Sequence, residues 1–142
     1  MLYCLVFTSF AQTPSPAQSL KKAVLKSDLP AIEALLKGGA DPNAIIEIVP
    51  GSATTYLITA VTDNSLEVVK LLLTAKAQVN QVDAFTTSPL KTAVGKSNPA
   101  LVALLLRSGA DTRAKDDDGK DALALAREGG NAAIIALLAP KQ

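Results

Sequence analysis

The chain has 142 residues, 49% of them apolar and 19% charged, which is material for one domain with a sizeable core. Fourteen basic residues against 13 acidic ones leave a net charge of +1, too little to draw nucleic acid or anionic lipid by charge. Histidine is absent, and with it go imidazole bases, histidine-based triads and most zinc and copper sites.

Composition changes near residue 12. The stretch 2–10 is apolar and aromatic, and no charge precedes Lys21. Ser9-Phe10-Ala11 has the small-x-small pattern of an export cleavage site and is followed by the turn-prone Gln12-Thr13-Pro14. Residues 1–11 therefore read as a signal peptide or the remnant of one, and the protein is expected to be exported, periplasmic or secreted. If 1–11 is only an untethered tail, the expectation becomes cytoplasmic. The stretch is too short to span a bilayer, so no integral membrane segment is expected. Bulky Tyr3 argues against a lipid anchor at Cys4, the single cysteine; cleavage after Ala11 removes it and leaves no disulfide.

From residue 15 onward the chain repeats itself. Leu20-Lys21-Lys22-Ala23, Leu57-Ile58-Thr59-Ala60, Leu90-Lys91-Thr92-Ala93 and Leu123-Ala124-Leu125-Ala126 recur with their leucines 37, 33 and 33 residues apart. Twelve residues after each closing alanine stands Leu35, Leu72, Leu105 or Leu138. Apolar residues follow helical spacing, as in Ile32, Leu35, Leu36 and in Val102, Leu105, Leu106, so each unit reads as a pair of helices with one buried stripe. Ser15-Pro16-Ala17-Gln18 forms a capping-box pattern with proline at the first helical position; Asn98-Pro99 repeats that logic, and Asp28 and Ser65 are the equivalent caps. Gly38-Gly39 and Gly109 close the second helices, where a left-handed residue is wanted. Lys76 holds the matching place in the second unit and is expected to take that conformation despite its side chain.

The 33-residue period, Leu36-Lys37-Gly38-Gly39-Ala40-Asp41-Pro42-Asn43, Leu106-Arg107-Ser108-Gly109-Ala110-Asp111 and Ser88-Pro89-Leu90-Lys91-Thr92-Ala93 together resemble the ankyrin repeat family. The resemblance covers residues 15–142. It implies an all-α solenoid of about four helix-pair units, at about 15–53, 54–86, 87–119 and 120–142, joined by β-turn or hairpin fingers. Lys21, Ile58, Lys91 and Ala124 replace the histidine with which the family opens its first helices, so the hydrogen bonds it supplies must be absent or replaced. The resemblance further implies a non-enzymatic module that recognises another protein through its finger tips and the exposed side of its first helices.

Three fingers follow from this register. The first, 44–54, is four residues longer than the others and carries Ile45, Ile46, Ile48 and Val49. These isoleucines either anchor a partner or fold back on Tyr56. Alternation permits Ile46 and Ile48 to point one way and Ile45 and Val49 the other. The second, 81–87, holds Val82 and Phe85, with Thr86 in place of the usual turn glycine; Phe85 either contacts a partner or covers the first finger. The third, 115–120, is charged with both signs, as suits a rim. Along the inner helices the register exposes Thr62 with Asp63, Gly95 with Lys96, and Glu128 with Gly129. The candidate contact residues are Ile46, Ile48, Val82, Phe85, Thr62 and Lys96.

Chemistry elsewhere is sparse. Setting Gly119 as the sixth residue of a calcium loop puts Ala114 first and Leu125 last, where carboxylates are required, so Asp118-Gly119 reads as a turn tip. Gly38-Gly39 and Gly129-Gly130 lack the flanks of a phosphate loop. Lys21, Lys22 and Lys26 have no interleaved arginine or aromatic residue and read as a solvated end face. Asp63 and Glu128, the acids a carboxylate hydrolase could pair, fall two units apart. No catalytic residue, metal or cofactor is expected, and no nucleic-acid partner. The expected molecule is a monomer that binds another protein of unnamed identity. The alternatives are a secreted inhibitor or effector acting outside the producing cell, and a structural subunit of an envelope complex.

Overall fold

The computed structural model describes residues 13–140; the readings made on 1–11, including Cys4 and the cleavage site, lie outside the described residues. Among the described residues the elements run α1 (Pro16–Leu25), α2 (Leu29–Lys37), β1 (Ile45–Glu47), β2 (Ala53–Thr55), α3 (Tyr56–Thr62), α4 (Leu66–Thr74), α5 (Pro89–Gly95), α6 (Pro99–Arg107), α7 (Ala122–Gly129) and α8 (Ala132–Leu138). The helices pack as successive hairpins, α1 on α2, α3 on α4, α5 on α6 and α7 on α8. Inner helices α1, α3, α5 and α7 stack in one layer, and outer pairs α2–α4 and α6–α8 in another. This is the all-α ankyrin-type solenoid, with one small antiparallel sheet.

Side-chain caps define most helix starts. Ser15 and Gln18 exchange reciprocal bonds of 3.2 Å, and Asp28, Thr55, Ser88, Asn98, Asp121 and Asn131 each accept an amide from the first turn. Ser65 departs from its expected role. It makes no cap bond; its hydroxyl instead meets that of Ser27 in the neighbouring unit at 3.1 Å.

The repeated leucines and alanines form the core. Leu20, Leu57 and Leu90 are buried, as are Leu72, Leu105 and Leu138, while Leu35 and Leu123, in the first and last units, are half-buried. Ala23, Ala60, Ala93 and Ala126 are all buried, where small side chains let the inner helices approach closely. No single hairpin covers its own stripe, so stability is shared between units and their interfaces.

Left-handed residues mark the same period. Lys76 has φ 68° in line with Gly39 and Gly109, which confirms the expectation for it. Ser27, Asn64 and Ser97 are also left-handed, at the turn between the two helices of each unit, where the last unit has Gly130. Units are further laced by asparagines. Asn43 accepts the Gln78 amide at 2.7 Å and donates to the Lys76 carbonyl, and Asn80 accepts the Asp111 amide at 2.7 Å and donates to the Gly109 carbonyl.

Candidate protein-contact surface

The first finger is a hairpin. β1 and β2 pair with Ile45 opposite Thr55, Ile46 opposite Thr54 and Glu47 opposite Ala53. Ile46 turns inward with 7% exposure and belongs to the core, so its assignment as a contact residue is corrected. The shared face that alternation permits Ile46 and Ile48 is not formed, because β1 ends at Glu47 and two-residue alternation stops there. Ile45, Ile48 and Val49 are all exposed, at 54%, 46% and 57%. At the hairpin's foot Tyr56 is fully buried and its hydroxyl donates to the Ala17 carbonyl at 2.8 Å. Burial, and then the Asp41 charge, push that phenol above its ordinary value. The Lys21 ammonium donates to the Glu47 carbonyl, tying α1 to the finger; this lysine stands where the family has histidine.

The second and third fingers share one plan set by an aspartate. Asp83 Oδ1 accepts the amides of Phe85 and Thr87 at 2.8 and 2.9 Å; Asp116 Oδ1, one period later, accepts those of Asp118 and Lys120 at 3.0 and 2.9 Å. Asp116 is held below the ordinary carboxylate value chiefly by the Lys120 amide, with help from the Lys91 charge. Gly119 is left-handed at φ 74°, and Thr86 keeps the same hand at φ 55° although it carries a branched side chain. The finger is therefore not reshaped by losing its glycine. Phe85 falls on the register position of Asp118 and is 63% exposed, and Val82 is exposed as well.

Neighbouring fingers are bonded to each other. The Ala84 amide donates to the Ala53 carbonyl at 2.9 Å, joining the second finger to the first hairpin. The Thr86 hydroxyl meets Asp117 Oδ1 at 2.9 Å, joining it to the third. These bonds tie the finger that carries Val82 and Phe85 to the hairpin that carries Ile45, Ile48 and Val49 on one side and to the third finger on the other. Thr62 and Lys96, at the far ends of α3 and α5, are exposed but separate from the finger tips. The Thr62 hydroxyl already donates to the Ile58 carbonyl at 2.8 Å.

Ile45 and Val49 were in the sequence as finger residues but not among the candidates, since face choice depends on where the strand stops. Asp83 and Asp116 gave a readable signal, two aspartates 33 residues apart, each followed four residues later by the end of a turn. Lys91 gave none: lysines seldom lie buried, yet its side chain is 3% exposed. Among the described residues no group of three or more Asp, Glu, His or Cys side chains is placed to hold a metal ion, and no helix is long and apolar enough to cross a membrane.

No curated protein matches this chain. A family model described as ankyrin repeats (3 copies) matches residues 20–116, from the first leucine of α1 to the aspartate that organises the third finger. Together with the stacked hairpins and their 33-residue register, that match over more than half of the sequence places it: the chain belongs to the ankyrin repeat family.

Proposed function

We propose that this protein captures another protein segment with its first two fingers, and that Ile45, Ile48, Val49, Val82 and Phe85 supply the apolar contact. Ankyrin repeats are protein-binding modules and are in general non-enzymatic. The observation that carries the placement is the exposure of Phe85 in a turn whose backbone is fixed by Asp83 and by both neighbouring fingers. A large rigid aromatic held at a fixed tip loses little freedom on binding, as an anchor residue should. An apolar or mixed segment suits it, because the first two fingers carry only Glu47 and Asp83 as charged residues. Thr62 and Lys96 would flank such a segment along the inner helices.

The test is capture of crosslinked partners from the native host by the wild type and by the triple variant Ile48→Ser, Val49→Ser, Phe85→Ser. Helicity should persist, since all three side chains are exposed, and the captured set should disappear. Undiminished capture overturns the placement. Export belongs to the same proposal and rests on the apolar stretch 2–10 and Ser9-Phe10-Ala11. Mass spectrometry of the folded protein from its host should find a chain beginning at Gln12; an intact Met1 overturns it.

A further inference from the structure

Lys91 is buried in α5 at a cost that packing does not explain. Its ammonium has no hydrogen-bond partner among the described residues, and its nearest opposite charge, Asp116 Oδ2, lies 3.9 Å away with 19% of that side chain exposed. Desolvating an ammonium without a full set of acceptors is unfavourable. The chain itself shows that the register position does not need one, since Ile58 fills it under the second finger and Ala124 in the last unit. Lysine at this position has a common feature instead. Lys21 reaches the carbonyl of Glu47 in the finger that follows its helix pair, and Lys91 faces the carboxylate of Asp116 in the finger that follows its own. The second finger has no such strut beneath it and is held from the sides, by the Ala53 carbonyl and by Asp117.

We propose that Lys91 is a positioning residue: it fixes the third finger through Asp116 and, through the bond between Asp117 and Thr86, sets the pose of the finger that carries Phe85. Asp116 divides its work, with Oδ1 holding the amides of Asp118 and Lys120 and Oδ2 facing Lys91. The ammonium therefore pulls on the atom group that shapes the turn, and Asp117, the next residue, carries that constraint to the Thr86 hydroxyl. This deepens the reading of the second finger as the contact surface and rests on that reading for its purpose. Its test reads the fingers directly, so that it fails or stands apart from partner capture.

Amide exchange is followed residue by residue in the wild type, Lys91→Met and Thr86→Val. Methionine keeps the unbranched length and removes the charge together with its desolvation cost, while Asp116 keeps its two backbone amides and its partial exposure, so helicity should persist. The amides of Asp118 and Lys120 should exchange roughly twofold to fivefold faster, as for loss of a partly exposed charge pair, and those of Phe85 and Thr87 should also accelerate. Thr86→Val, at an exposed position, should accelerate Phe85 and Thr87 alone. Wild-type exchange in the fingers of Lys91→Met overturns the proposal, as does acceleration confined to the third finger. A Lys91→Met protein that loses its helicity overturns it too, by making Lys91 a core support.

Discussion

The first and third fingers leave the same side of the stack and are fixed in opposite ways. The first is a hairpin, paired along its backbone and nailed to the core by the inward side chain of Ile46. The third has no strand; one carboxylate, Asp116, gathers two amides, and a buried ammonium faces it from below. A longer insert can bury an apolar residue of its own and so free its remaining aliphatic side chains for solvent. A short turn has no such residue and depends on polar bonds, which suits a rim more than an anchor. The second finger stands between the two, built like the third but bearing Phe85 where the third has Asp118.

The largest effects should be blind to this difference, because both fingers stand on the same core. Leu72→Ala and Leu105→Ala should each cost about 2 to 5 kcal/mol in denaturant unfolding, and a loss below about 1 kcal/mol for either would show that its unit does not share the register. The next variant should separate the fingers. Ile46→Ala should cost about 2 kcal/mol and raise amide exchange at Ser52, which donates to the Val49 carbonyl in the hairpin's turn, while Asp118 and Lys120 keep their protection. Equal loosening of the third finger would break the contrast.

A smaller and opposite effect is expected at Lys76, which is left-handed at φ 68°. Lys76→Gly removes a strain of about 1 kcal/mol and should raise the thermal midpoint; an unchanged or lower midpoint refutes it. The smallest effect is an acid sensitivity of the third finger that the first should not share. The Asp116 carboxyl is lowered in the folded protein, first by the Lys120 amide and then by charges that include Lys91 and Lys120. A group lowered on folding contributes fully above its unfolded value, about 4 for aspartate, and that contribution is lost as pH falls through the lower folded value. Asp118 and Lys120 should therefore lose protection below about pH 4, after correction for intrinsic exchange rates. Ser52 should not, since the first finger is held by a backbone carbonyl and an aliphatic side chain. Parallel loss in both fingers would remove the distinction.

The stack was legible because its signals are periodic. Leucines and alanines at fixed offsets define which faces meet, and Ser15, Asp28 and Asn98 mark starts by chemistry that works within four residues. Lys76 could be read from its glycine neighbours in the alignment of units. Ser27, Asn64 and Ser97 could not, since no glycine stands in line with them until Gly130. The surface was less legible for a physical reason: Ile46 and Ile48 differ in burial because a three-residue strand stops between them, and strand length is decided by pairing across the hairpin. Ser65 meets Ser27 of the neighbouring unit and Lys91 faces Asp116 in the finger of its own unit, 38 and 25 residues away in sequence, which local spacing does not encode.

The asparagine links give the stack a mechanical character. Asn43 and Asn80 each bridge one unit to the next with a short bond to a backbone amide and a return bond to a carbonyl. Tension applied along the pile is thus borne step by step, at one seam and then another, because each hairpin touches only its neighbours. A molecule so joined is expected to open under load one seam at a time, like a row of snap fasteners, and to close again from whichever seams remain shut.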